Sequence, residues 1–358
     1  MVFVFSGFVK GIDPLGFVYR IDDYFLAFNV TWAVPFSLYL AILGCTIEIM
    51  IGISLLFNLW IRKTAWLLLP IMTFFTILTF FDAIYNLVPD CGCFGDAVKL
   101  TNVQTFLKNI VLMVMVVPVF IWRKKYRSAL PEVLDFAFLA LTMFLSVGMS
   151  VYSVRHLPPI DFMNWEIGNR VNKHTTLPVK FFVTYKNRST GEEKEFVSPE
   201  YPWNDPEWLS QWVFKSQRVV DPNKYQGLVL RVEDAAGNDF TSSILDNPDY
   251  QFILVAYNLS SANPENVRKL LPFYKKAIAD GYSFICLTSS MTDEIKKFRL
   301  VNGTAFPFYN ADDVVLKTMV RANPGLILLK DGVVIAKWNA RDVPDYAVVK
   351  QTYMGKRH

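Results

Sequence analysis

Charge is scarce in this sequence, and so are cysteine and histidine. Only 19% of the 358 residues are Asp, Glu, Lys or Arg, while 53% are hydrophobic and the mean hydropathy is +0.27. Soluble domains usually carry about 25% charged residues. Four cysteines are too few for a disulfide framework, and a net charge of +4 is too small and too dispersed to indicate nucleic-acid binding. The composition therefore excludes a single soluble domain, a disordered chain and a small disulfide-rich scaffold.

The few charges are distributed unevenly, with 19 of the 68 in residues 1–154. This first part contains four apolar runs, each with a single charge and each long enough to cross ~30 Å of hydrocarbon as a helix. Residues 1–12 are also apolar but would extend only roughly 18 Å as a helix, so we interpret them as the second half of a further span. The sequence predicts five spans within 1–154, the four long ones being 33–60, 66–89, 104–122 and 133–154.

Basic residues predict the orientation of these spans. Lys and Arg are enriched in short cytoplasmic loops, and here they fall at 62–63 and 123–127. With both loops in the cytoplasm, the loop 87–104 and everything after residue 154 lie outside. We therefore expect a multi-pass membrane protein, in contact with membrane lipid, whose C-terminal part is extracytoplasmic.

The external loop between the third and fourth spans contains Cys91 and Cys93, separated only by Gly92. In an oxidising compartment such a pair can close a very small disulfide ring, and a ring under strain is easier to reduce. The alternatives are a static loop staple or two inert thiols. Zinc is disfavoured because two thiolates would need two further ligands. The pattern favours a redox pair without a metal.

Charged residues inside the predicted spans lie toward the same side. Glu48 falls near the middle of a span, where a carboxyl group is costly and is therefore expected to be functional. Lys10, Asp13, Asp82 and Lys108 fall at the outer ends of their spans, beside the cysteine loop. A cation near a cysteine lowers the pKa of the thiol, so these groups could tune the pair. The alternative is that they only pair with one another and hold the helices together.

Three strings of residues resemble the DoxX/MauE membrane proteins over residues 1–122. They are SGFVKGIDP from Ser6 to Pro14, EIMIG from Glu48 to Gly52, and CGCFG starting at Cys91. The resemblance implies a four-helix bundle in the inner membrane of bacteria, here with a fifth span added. It also implies thiol or electron chemistry, because MauE proteins support disulfide formation in methylamine utilisation and DoxX relatives take part in quinone-coupled sulfur oxidation. By position, Cys91 and Cys93 would be the redox pair, while Lys10, Asp13 and Glu48 match the family pattern without a settled role.

The external part divides into a β-rich section, 155–225, and an α/β section, 226–358. The first contains a hairpin around the Ser-Thr-Gly turn at 189–191. In the second, apolar runs at 250–257 and 282–288 predict buried strands, 264–279 and 292–298 predict helices, and a hairpin closes around Asp331-Gly332.

This order resembles the thioredoxin-like fold in its TlpA/peroxiredoxin-type version. Pro324 matches the cis-proline of that family. The redox cysteines of the family would follow the first main strand, but residues 258–264 contain none, and Cys286 is expected to be a buried core thiol. The resemblance implies a docking or binding module without its own redox centre.

Two classes of function agree with these observations. One is a membrane thiol–disulfide and electron-transfer protein, in which Cys91 and Cys93 accept electrons from an extracytoplasmic protein thiol partner and pass them to a quinone. The other is a non-catalytic, membrane-anchored assembly factor, in which the bundle is an anchor and the thioredoxin-like module grips a partner.

Overall fold

A computed structural model describes residues 1–88, 90–126, 128, 130–171, 180–198, 200–202, 204–220 and 230–355. The predicted boundary at 225/226 and the basic residue Arg127 lie outside these ranges.

The N-terminal part is a bundle of apolar helices. Four of its helical segments are long and apolar enough to cross a membrane, and a fifth crossing results if the bent pair α1–α2 is one span. This agrees with the predicted multi-pass bundle. The elements are α1 (Val2–Ile12), α2 (Pro14–Ala27), a 3₁₀ turn (Thr31–Phe36), α3 (Ser37–Phe57), α4 (Ile61–Tyr85), β1 (Cys93–Asp96), α5 (Asn102–Ile121) and α6 (Glu132–Arg155).

Helix α2 was not predicted, and it changes the interpretation of the first segment. Helices α1 and α2 meet at a 97° bend. At the bend, the side chain of Asp13 accepts a hydrogen bond from the Gly16 amide at 3.1 Å, and Pro14 begins the new helix. Proline is favoured at the first position of a helix because its missing N–H would have no partner there. The apolar segment 1–12 therefore continues into a second helix that approaches the cysteine loop.

Helices α1 and α3 pack closely because small residues lie between them. A Cβ atom on Gly7 would lie 2.8 Å from the Cys45 carbonyl oxygen, and one on Gly52 would lie 2.7 Å from the Val4 amide nitrogen. Small residues allow close backbone approach between membrane helices. This contact fixes the position of Lys10 on α1 relative to Glu48 on α3.

The β-rich section forms a three-stranded antiparallel sheet in the order β3-β2-β4. The predicted hairpin is confirmed, since β2 and β3 pair antiparallel with Tyr185 opposite Lys194. The elements are β2 (Lys180–Asn187), β3 (Glu193–Val197), α7 (Pro206–Gln211) and β4 (Trp212–Val220).

The last section is an α/β unit around a five-stranded sheet in the order β7-β6-β5-β8-β9. Strands β5, β6 and β7 are parallel, and β8 and β9 run antiparallel to their neighbours. The predicted strands, helices and closing hairpin of this section are confirmed. The elements are α8 (Thr241–Leu245), β5 (Tyr250–Val255), α9 (Pro264–Ala279), β6 (Ser283–Thr288), α10 (Thr292–Asn302), β7 (Phe308–Asn310), α11 (Asp313–Met319), β8 (Gly325–Lys330), β9 (Val333–Asn339), α12 (Tyr346–Val349) and a π turn (Lys350–Met354).

The sheet is buried on both faces. Phe252 packs against Phe273 of α9 on one face, and Ile253 packs with Leu316 of α11 on the other. Cys286 lies within β6 and is fully buried, as predicted. The Asn323–Pro324 peptide bond is cis and immediately precedes β8.

Candidate functional site

The loop that contains the two cysteines turns sharply at glycines. Gly92 has a φ of +62°, which is accessible to glycine at little cost, and its amide donates to the Asp90 side chain at 3.0 Å. The turn brings both sulfur atoms together, with the Sγ atoms of Cys91 and Cys93 3.2 Å apart. Cys91 is buried and Cys93 is only partly buried. The two thiols are therefore adjacent and differ in access.

The electrostatic environment also separates the two thiols. The hydrogen bond with Cys91, followed by the nearby ammonium groups of Lys108 and Lys10, lowers the pKa of Cys93 to about 6, although burial acts in the opposite direction. The same hydrogen bond and burial raise the pKa of Cys91. When the pair has lost one proton, the two sulfur atoms share the other. The thiolate then forms on Cys93, because the cations lie beside that sulfur.

Glu48 and Lys10 form an ion pair beneath the loop. The Ser6 hydroxyl oxygen lies 2.8 Å from Glu48 Oε2 and 2.6 Å from the carbonyl oxygen of Cys93, so the hydroxyl can donate to either acceptor. Lys108 also lies over the Phe94 ring, 4.8 Å from its centroid. Helices α1, α3 and α5 thus each contribute a polar group to the cysteine loop.

A cavity extends from the two thiols into the bundle between α1, α3, α4 and α5. Its volume, counted out to its open mouth, is about 610 Å³. Its polar lining includes Ser6, Lys10, Glu48 and Lys108, and its apolar lining includes Phe75.

On the other side of the loop, Cys91 meets a second polar group. The Tyr24 hydroxyl of α2 contacts the Cys91 thiol and donates to Asp82 Oδ2 of α4 at 2.5 Å. Asp82 is fully buried, and its Oδ1 atom has no hydrogen-bond partner among the described residues.

The α/β section contacts the bundle directly at the cysteine loop. Arg321, between α11 and β8, is 6% exposed and donates from Nε to Asp13 at 2.8 Å and from Nη2 to Asp96 at 2.5 Å. Asp96 ends strand β1, three residues after Cys93. Burial alone would lower the pKa of Arg321, but the two carboxylates raise it above its usual value, so the guanidinium stays charged. One arginine of the α/β section therefore links the bend of α1–α2 to the cysteine loop.

Two further contacts lie at this junction between the α/β section and the bundle. Arg20 of α2 pairs with Asp90 at 2.9 Å, and the hydroxyl oxygens of Tyr19 and Tyr257 lie 3.5 Å apart. Tyr257 directly precedes the cysteine-free segment 258–264. The segment after β5 and the cis-proline before β8 lie at the same end of the sheet, and this end therefore faces the bundle.

The structure brings most of the predicted site residues together, with different partners from those expected. Lys10, Glu48 and Lys108 line the thiol cavity with Cys91 and Cys93. Asp13 instead pairs with Arg321, and Asp82 with Tyr24, so neither carboxylate forms the predicted helix-to-helix ion pair with Lys10 or Lys108.

Three contributing residues were missed by the sequence reasoning: Tyr24, Arg20 and Arg321. Residues 13–32 lie between two predicted spans, so the sequence gives Tyr24 and Arg20 no position relative to the thiols. A proline at the first position of a helix, preceded by an aspartate cap, was the available signal for α2.

These features define a multi-pass helical membrane protein with paired thiols in a loop between two spans. Residues 1–122 match the family described as methylamine utilisation protein MauE. The match includes α1 to α5 and both cysteines of the loop, and it confirms the MauE part of the resemblance. No curated protein matches the chain.

Proposed function

We propose that this chain is a membrane thiol–disulfide oxidoreductase of MauE type, in which Cys91 and Cys93 exchange between dithiol and disulfide at the extracytoplasmic face of the bacterial inner membrane. The observation that carries the proposal is the asymmetric pair itself. Its sulfur atoms are 3.2 Å apart, and Cys93 has a depressed pKa beside two lysines. A static loop staple has no need of cations that stabilise a thiolate.

The substrate class that fits is an extracytoplasmic protein dithiol. Cys93 is the less buried sulfur and would receive the attacking thiolate, while Cys91 would be the leaving thiol. A membrane-soluble acceptor of the quinone class would reoxidise the dithiol. The cavity below the thiols is where such an acceptor would approach them.

The α/β section supports this function as a docking module with a thioredoxin-like fold and no redox centre of its own. Its segment 258–264 contains no cysteine, and Cys286 is inside the sheet with a pKa raised by burial. Its contact with the loop through Arg321 supports an extracytoplasmic placement on the same side as Cys91 and Cys93.

Reconstituted full-length protein can test the proposal. With dithiothreitol as donor and a short-chain ubiquinone as acceptor, we expect quinone reduction above the uncatalysed rate. Cys91→Ser and Cys93→Ser should abolish this excess, and Cys286→Ser should retain it.

Two other outcomes separate the parts of the proposal. Exchange with dithiothreitol but no transfer to the quinone would exclude only the acceptor. If wild-type protein exchanges with dithiothreitol no faster than Cys93→Ser, redox activity is excluded and a membrane-anchored assembly factor is favoured.

A further inference from the structure

Asp82 is difficult to explain as a stabilising residue. Its side chain lies on α4, fully buried, with one oxygen bound to the Tyr24 hydroxyl and the other without a partner among the described residues. A buried polar atom without a partner costs about 1–3 kcal/mol. Helix packing alone would be served better by an apolar side chain at this position.

Tyr24 connects this carboxyl group to the thiol pair. Its hydroxyl contacts Cys91 on one side and Asp82 Oδ2, at 2.5 Å, on the other. The connection joins the cysteine loop, α2 and α4. The two lysines lie beside Cys93 instead. Each thiol therefore has its own kind of partner: cations for Cys93, and a hydroxyl–carboxyl chain for Cys91.

We propose that Tyr24 and Asp82 form a proton relay that serves Cys91 during thiol–disulfide exchange. Tyr24 is the catalytic residue, because it touches the reacting sulfur, and Asp82 acts through it. The relay rests on the proposed function, since it has a role only if the pair forms a disulfide that an external thiolate can attack.

The exchange step balances as follows. A substrate thiolate attacks Cys93 Sγ, a new S–S bond forms, and the bond between Cys93 and Cys91 breaks. The electron pair goes to Cys91 Sγ. The Tyr24 hydroxyl, which donates to Asp82 in the structure, turns toward Cys91 and gives its proton to this sulfur, while the protonated carboxyl group of Asp82 gives its proton to Tyr24. The second substrate thiolate then attacks the substrate sulfur and releases Cys93 as a thiolate beside Lys108. Of the two protons that the substrate gives up, one reloads Asp82 and the other goes to water.

The relay avoids the formation of an unprotonated leaving thiolate on the buried sulfur of Cys91. Cys91 is 6% exposed, so a leaving thiolate there would be poorly solvated. Protonation of the leaving group in the transition state removes this cost, and positioned acids of this kind contribute about 10²–10⁴-fold to reaction rates. Re-formation of the disulfide would send the proton back along the same path.

The test compares the rates at which dithiothreitol reduces the oxidised pair in full-length protein with Cys45→Ser and Cys286→Ser as background. We expect Tyr24→Phe and Asp82→Asn each to slow reduction roughly 100-fold. The double variant should be no slower than either single variant. A solvent deuterium isotope effect should be present in the parent protein and lost in Tyr24→Phe.

The matched control is Tyr85→Phe, an exposed tyrosine near the end of the same helix as Asp82. Relay variants that slow reduction no more than this control would overturn the relay. If Tyr24→Phe does not fold, the absence of an isotope effect in the parent protein would overturn it equally. A parent protein whose pair never oxidises would overturn the proposed function, which is a different result.

Discussion

Cys93 and Cys286 lie in different parts of this chain, and their thiols differ in burial and in pKa. Cys93 lies in a loop of the bundle, partly buried, beside lysines that help to lower its pKa to about 6. Cys286 lies within a central strand of the α/β sheet, fully buried, where burial raises its pKa. Reactivity follows the environment of a thiol rather than its presence. The comparison favours the bundle as the place of the proposed chemistry, although the thioredoxin-like fold is proposed for the α/β section.

The largest effect is expected at the contact between the bundle and the α/β section. Arg321→Gln removes the charge that pairs with Asp13 and Asp96, both of which would remain nearly buried. Loss of one partner from a buried ion pair typically costs about 3–5 kcal/mol. We expect a clear fall in the thermal unfolding temperature of the detergent-solubilised protein, together with proteolytic release of the α/β section from the bundle.

The control for this change is Arg268→Gln on the exposed side of α9. Equal melting temperatures for the two variants would show that the junction does not depend on Arg321.

The environment of Cys93 can be altered without changing the loop. Lys108→Gln removes one of the cations that lower the pKa of this thiol, so the midpoint of its alkylation rate should rise from about pH 6 toward the usual ~8.5. Mass spectrometry of the loop peptide across a pH series would measure this midpoint. Lys99→Gln, an exposed lysine of the same loop, is the control. An unchanged midpoint in Lys108→Gln would mean that the cation does not act on Cys93.

A change in the packing between α1 and α3 should lower the stability of the protein by less than the loss of Arg321. Gly7→Ala places a methyl group 2.7 Å from a side-chain atom of Ile49 and 2.8 Å from the Cys45 carbonyl oxygen, so the helices must separate. Overpacking of this kind costs about 1–3 kcal/mol. Gly148→Ala, on α6, meets nothing within 4 Å and should be neutral or slightly stabilising. Thermal unfolding of both variants would measure the difference, and equal values would contradict the close packing.

The fold was predictable where one pattern decided it. Long apolar runs fixed the four long helices, and buried runs such as 250–257 fixed the central strands of the sheet. Helix α2 was not predicted because Arg20 and Asp23 interrupt its apolar pattern, as they would in a polar connection. Local helix propensity alone was too weak a signal to predict a helix there.

The site was predictable only in part, for a related reason. Sequence order places Lys10 and Lys108 near one membrane face and Glu48 near the middle of its span, and the structure brings all three to the thiols. The partner of Asp13 is 308 residues away, at Arg321. No pattern within one segment reports a pairing over that distance, because it depends on how the α/β section packs on the bundle.

The most direct test of the account is the reduction potential of the Cys91–Cys93 pair. Thiol trapping across a series of glutathione ratios would measure it in full-length protein with Cys45→Ser and Cys286→Ser, so that only this pair responds. Structural disulfides typically lie below about −300 mV, and the account predicts a reversible disulfide with a higher, more oxidising potential. A potential below that value, or two thiols that remain free under oxidising conditions, would contradict it.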